Sequence, residues 1–223
     1  MIHAQALVDP EARIADDVEI GPFCVIGPQV EIAAGTRIGS HVVLRGPTRI
    51  GEANRIFSFA TIGEAPQDLK YDGEPTRLEV GDRNTIREYV TFNRGTPEGG
   101  SVTHVGSDNL FMAYTHVAHD CRVGDHTIFA NAASLAGHVD VGEWVILGGF
   151  TCVHQFCRIG DHSFTGLGTV VTRDIPPFVT ATGNHARPHG INKNGLKRRG
   201  FDPAAVTNGG MSRVTTVPNP VKL

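Results

Sequence analysis

From Ile2 onward, every sixth residue is aliphatic: Ile2, Val8, Ile14, Ile20, Ile26, Ile32, Ile38, Leu44, Ile50, Ile56 and Ile62. Val80, Ile86 and Phe92 keep this phase. A second run goes from Val105 through Phe111, Val117, Val123, Phe129, Leu135, Val141, Leu147 and Val153 to Ile159, after a step of thirteen that marks one inserted residue. Six is not a helical period. It suits strands, whose side chains alternate with period two, when a turn interrupts them every few residues. The pattern predicts a prism of short parallel strands with one inward aliphatic per hexad. A small residue often follows it (Gly21, Gly27, Gly39, Gly51, Gly63), and Gly, Asn and Asp are expected at the corners. Three hexads make one triangular coil of 18 residues, and neighbouring coils stack at about 4.8 Å.

Two stretches lack the inward aliphatics and are predicted as external loops, 64–79 and 93–104. The strands are expected to end near 173–179, where adjacent prolines remove ladder donors. The remainder is polar, with a short helix predicted after Asp202. This divides the chain into a prism, 1–180, and a tail, 181–223. Composition agrees: 27 glycines and 7% aromatics favour repeated tight turns over a helical core. A net charge of −3 and a pI near 6.4 argue against general nucleic-acid binding. There is no apolar run of membrane-spanning length and no basic stretch followed by an apolar one, so neither a membrane span nor a signal peptide is expected, and Cys24, Cys121, Cys152 and Cys157 form no C-x-x-C pair. The expectation is four reduced, buried thiols in a cytoplasmic protein without a membrane span.

Candidate chemistry centres on "HVAHDC" at 116–121. With 18 residues per coil, His119 stacks below Gly137 and Gly137 below Gln155, while Asp120 stacks below His138. None of His116, His119, His138 and His154 takes the inward position, so they are expected to face outward as a cluster. Three chemistries could use it. A histidine base needs an acid to hold its tautomer, and Asp120 could supply it. A zinc site needs three converging nitrogen or sulfur ligands. A covalent mechanism needs an activated nucleophile, and Cys121 alternates to the face opposite Asp120.

The stretches "IGPFCVIGP" (20–28), "QDLKYDGEPTRLEVGDRN" (67–84), "HVAHDC", "LAGHV" (135–139), "VHQFC" (153–157), "GNHARPHGIN" (183–192) and "GLKRRGF" (195–201) resemble the UDP-N-acetylglucosamine acyltransferases of lipid A synthesis. The resemblance covers the chain to about residue 207. It implies an all-β fold, a left-handed parallel β-helix with a short irregular or partly helical tail. The handedness comes from the resemblance alone, since ordinary crossovers are right-handed. It also implies transfer of an (R)-3-hydroxyacyl group from acyl carrier protein to the 3-hydroxyl of UDP-N-acetylglucosamine, by a homotrimer with sites between subunits, without metal or organic cofactor. His119 is then the base, Asp120 its orienter and Gly137 an oxyanion donor. Asp68 and Lys70 reach the sugar and phosphates, while His116, His138, His154 and Gln155 line the cleft. Leu167 limits the acyl chain to roughly ten to twelve carbons. His185, Asn192, Arg198 and Arg199 complete the substrate contacts, the last three at the nucleotide. Asn93 stands where the family commonly has histidine, and Asn194 where an acid is usual. The family's C-terminal helices are replaced by "NGGMSRVTTVPNPVKL", so Asn192, Arg198 and Arg199 are expected on a poorly ordered segment with weak nucleotide affinity. A zinc hydratase on the same prism and a catalytically silent trimeric scaffold are the competing readings.

Overall fold

A computed structural model describes residues 1–202 and Val206. Its three sheets hold nine, eight and ten strands. The first face runs from Leu7–Val8 to Val170–Val171, the second from Arg13–Ile14 to Arg158–Ile159, and the third from Glu19–Ile20 to Arg187–Ile191. Parallel pairing advances one coil at a time: Val117 opposes Leu135, Leu135 opposes Val153, and Val153 opposes Val171. This is the 18-residue coil that the period implies, in the left-handed β-helix that the resemblance implies. The six-residue aliphatics are its core. From Ile20 to Ile159 they are buried; within the core Phe92 meets Phe111 edge-on and Phe111 meets Phe129 at a tilt, each pair at 4.9 Å.

The corners differ from expectation. Their left-handed residues are mostly rings, not Gly, Asn or Asp: Phe23, His41, Phe59, Tyr89 and Tyr114 all have φ between 60° and 66°. A left-handed L-residue costs roughly 1–2 kcal/mol. Two contacts offset this. Each ring lies on the ring one coil away at 4.9–5.1 Å, and the corner N–H bonds the coil below, as His41 N does to Pro22 O at 3.0 Å.

Both interruptions are loops, shorter than expected. Thr61–Glu64 and Arg77–Val80 pair in the ladders, as do Thr91–Asn93 and Val102–Val105, leaving 65–76 and 94–101 outside. Both leave the prism at the edge between the first and second faces. The ladder also runs past the prolines. Val179–Thr182 adds in parallel to Phe164–Thr165 and then pairs antiparallel with Arg187–Ile191. A helix that was not expected, α1 (Lys193–Arg198), capped by Asn192, lies before Asp202. Where a helix was expected after Asp202, Val206 is helical and its N–H donates to Asp202 O; residues 203–205 and 207–223 lie outside the described residues. Cys152 is exposed, so only Cys24, Cys121 and Cys157 meet the expectation of buried thiols. Among the described residues no helix is long and apolar enough to cross a membrane.

Candidate active site

The edge that releases both loops also carries His119, Asp120, His138 and Phe156. Strand His116–Val117 ends one face and Arg122–Val123 begins the next, so the residues between them must turn. Asp120 makes the turn at φ 59°, its N–H donating to Thr103 Oγ1 at 2.8 Å. That conformation directs its carboxylate under loop 94–101. Thr96 N–H donates to Oδ1 at 2.8 Å and Thr96 Oγ1–H to Oδ2 at 2.6 Å. His119 Nδ1 lies 2.8 Å from the same Oδ2. The Asp120 side chain is 0% exposed and the His119 side chain 13%. A β-carbon on Gly99 would overlap the Asp120 carboxylate, so the loop can close only with glycine there.

This arrangement selects a tautomer. Asp120 Oδ2 accepts, so Nδ1 of the neutral His119 carries the proton and Nε2 keeps its lone pair. Gly137 sits against that nitrogen: a β-carbon there would lie 2.5 Å from Cε1 and 2.6 Å from Nε2 of His119. The missing side chain makes room for the imidazole and brings backbone beside it. Among the described residues the Gly137 N–H makes no hydrogen bond. His138 meets His119 edge-on at 5.1 Å and stacks on Phe156 at 4.6 Å. His116 is held by Thr91 Oγ1 at 2.7 Å from its Nδ1. Burial lowers the His116 pKa, and His119 nearby adds to that. Cys121 is pushed up to about 12 by burial, which removes it as a nucleophile.

Structure thus brings together His116, His119, Asp120, Gly137 and His138. His154 and Gln155 lie on the same edge one coil further, exposed, with His154 Nδ1 3.1 Å from Gln155 O. Asp68 and Lys70 leave that edge on loop 65–76, where Asp68 Oδ1 accepts the Lys70 N–H at 2.9 Å. Leu167, 78% exposed, lies beyond Gly149: a β-carbon on Gly149 would touch its Cδ1 at 3.2 Å and Asn131 O at 3.4 Å. It marks the opposite edge of the first face. His185 is exposed, its Nδ1 3.3 Å from Thr172 Oγ1.

Asn192, Arg198 and Arg199 sit elsewhere, at the edge between the second and third faces. Their segment is tied down, contrary to expectation. Asn192, 6% exposed, donates from Nδ2 to His162 O at 2.9 Å and caps α1 by accepting the Gly195 N–H at 3.1 Å. Both ends of its amide are used within the chain. Arg198 is exposed. Asn93 is buried, with Nδ2 donating to Ala65 O at 2.9 Å. Sequence reasoning missed Thr96, Thr103 and Gly99. The inserted residue between Phe92 and Val105 was the available signal.

His119, Asp120 and His138 could in principle hold a cation, since their ligand atoms lie within 4.8 Å of one another. The donor set fits a metal poorly. His119 Nδ1 already bonds Asp120 Oδ2, and that oxygen also accepts from Thr96. A depression of about 680 Å³ on the second face, walled by Arg13, Glu31, Arg77 and Glu79, contains none of these histidines.

Residues 174–208 match the family model described as UDP-N-acetylglucosamine O-acyltransferase, domain 2, and residues 11–46 match that of six bacterial transferase hexapeptide repeats. An acyl-[acyl-carrier-protein]–UDP-N-acetylglucosamine O-acyltransferase from Thiobacillus denitrificans is 66% identical over 92% of this chain and 80% of its own length. The chain belongs to the UDP-N-acetylglucosamine O-acyltransferase family. Solved members of this O-acyltransferase family share the fold. LpxA from Acinetobacter baumannii superposes with a TM-score of 0.93 at 48% identity, covering 99% of this chain and 86% of that one. The Arabidopsis UDP-N-acetylglucosamine acyltransferase gives 0.83 at 33%, covering 100% and 86%. These relatives give no support to the zinc-hydratase or silent-scaffold readings.

Proposed function

We propose that this chain transfers an (R)-3-hydroxyacyl group from acyl carrier protein to the 3-hydroxyl of UDP-N-acetylglucosamine, the first step of lipid A biosynthesis. The observation that carries the mechanism is the Asp120 carboxylate, buried between Thr96 and His119, which leaves His119 Nε2 as a free base beside the Gly137 backbone. Nε2 takes the hydroxyl proton as the sugar oxygen attacks the thioester carbonyl carbon. The carbonyl electron pair moves onto oxygen, where the Gly137 N–H donates to it. Collapse breaks the carbon–sulfur bond, and the leaving thiolate recovers the proton from His119. Asp120 holds the imidazole in register and faces the positive charge that develops on it.

His116, His138, His154 and Gln155 line the cleft on this edge, with Asp68 and Lys70 closing it from loop 65–76 and His185 further along the prism. The acyl chain crosses the first face toward Leu167, which ends the groove at the opposite edge. Arg198 and Arg199 serve the nucleotide phosphates, for which a guanidinium fork is suited. Asn192 acts through the helix it caps. These arginines and His119 occupy different edges of one prism, which supports a homotrimer in which one chain's α1 edge faces the next chain's His119 edge.

The test is incubation of the purified protein with UDP-N-acetylglucosamine and 3-hydroxyacyl carrier proteins of graded length. Formation of 3-O-acylated nucleotide sugar is expected. Hydrolysis of the thioester without sugar acylation would overturn the reading.

A further inference from the structure

The corner rings between the second and third faces form a continuous stack. His126 lies on Trp144 at 4.1 Å, Trp144 is parallel to His162 at 6.2 Å, and His162 lies on Phe178 at 5.3 Å. Segment 192–201 is seated on this stack. Arg199 donates from Nη2 to the Trp144 carbonyl at 2.7 Å, and its guanidinium carbon lies 5.3 Å from the indole centroid. Arg199 Nη1 faces His162 Nδ1 at 3.3 Å, Asn192 Nδ2 donates to His162 O at 2.9 Å, and Phe201 meets the His162 ring edge-on at 5.1 Å. A guanidinium can only donate, so His162 Nδ1 must accept. That requires a neutral imidazole with its proton on Nε2.

We propose that Trp144 and His162 are positioning residues for the sugar nucleotide: they seat Arg199, thereby hold α1 and Arg198 in place for the phosphates, and do so only while His162 is neutral. The inference rests on the reading of Arg198 and Arg199 as nucleotide contacts. Neither ring needs to touch substrate. They act by pre-ordering a cationic segment, which lowers the entropy lost when the phosphates bind.

The groups around His162 set the direction of its pH response. Burial disfavours the imidazolium most, and the Arg199 charge adds to this, while Asp161 and Glu143 oppose it; the His162 pKa is lowered. His126 reaches the seat only through the Trp144 stack. A base whose pKa is lower when seated binds its proton better when released. The seat is therefore complete above the ordinary histidine value and is lost as pH falls through the lowered one.

Trp144 is the only tryptophan in the chain, so its fluorescence reads the seat without nucleotide. In the full chain, emission should change in one reversible transition as pH is lowered below the ordinary histidine value. Arg199→Ala should show the acid-form emission throughout. His126 also lies on the reporter ring, so the titrations are run in a His126→Gln background, where His162→Gln, with a neutral acceptor, should show no transition. His162→Lys, permanently charged, should raise KM for UDP-N-acetylglucosamine about tenfold, with the loss in KM and not in kcat. A flat titration with His162 intact, or a transition that survives in His162→Gln, would overturn the seat. Acid-form emission in His162→Lys with wild-type KM would overturn the positioning role. Absence of acylated product from wild type would count against the proposed function instead, and the fluorescence would still decide the seat.

Discussion

Thr96→Val tests the support beneath the base. The substitution keeps shape and the backbone N–H bond to Asp120 Oδ1 at 2.8 Å, but removes the 2.6 Å hydroxyl bond to Oδ2. No water can replace it, because the Asp120 side chain is 0% exposed and Thr96 is 2% exposed. A hydrogen bond to a charged group contributes about 1.5–3 kcal/mol. If all of that were felt in the orientation of His119, turnover would fall about 10- to 150-fold. The remaining N–H bond still restrains the carboxylate, so the lower part of the range, about 10- to 30-fold in kcat, is expected. KM for the nucleotide should change little, since Thr96 faces Asp120 and not the cleft. Thr96→Ser retains the hydroxyl and should recover most of the activity. Steady-state kinetics of both variants, beside thermal melts to establish folding, makes the comparison. Folded Thr96→Val with kcat within twofold of wild type would refute the argument that Thr96 orients the Asp120–His119 pair.

Leu167→Gly should shift donor preference toward longer acyl carrier proteins. Room for two further methylenes is worth about tenfold at roughly 0.8 kcal/mol each, and an unchanged donor profile would remove Leu167 as the groove's end. Phe111→Ala opens the core between Phe92 and Phe129. It should cost about 3–5 kcal/mol, read as a lower midpoint in denaturant unfolding. Cys121, with its pKa raised to about 12 by burial, holds almost no thiolate near neutral pH. It should stay unmodified by iodoacetamide in the native protein and react only after unfolding, as mass mapping of labelled peptides would show.

The architecture was legible because one period sets it. Ile20, Ile38 and Ile56 mark the inward column, and the 18-residue coil by itself puts Gly137 over His119. The aperiodic parts were not legible. Thr96 reaches Asp120 through a non-repeating loop whose path depends on Gly99 having no side chain. Local propensity assigned the corners to Gly, Asn and Asp, whereas stacking between coils favours rings such as Phe59 on Tyr89, 5.1 Å apart. The helix was expected after Asp202 because of the following "PAA". Val206 is helical there, but α1 was missed, because its cap Asn192 and its buried Leu196 lie beyond the repeat. The edge that Arg199 occupies was not legible either, because it follows α1, beyond the repeat, and is placed by its contacts with Trp144 and His162.

The central claim is that His119 is the general base and that Asp120 orients it. The direct measurement is kcat for acyl transfer to UDP-N-acetylglucosamine by His119→Ala and Asp120→Asn, each confirmed as folded. His119→Ala should lose about 10²–10⁴-fold. Asp120→Asn should lose less, because the imidazole remains. A folded His119→Ala that keeps more than about half of the wild-type kcat would contradict the account, since general-base loss costs at least about a hundredfold.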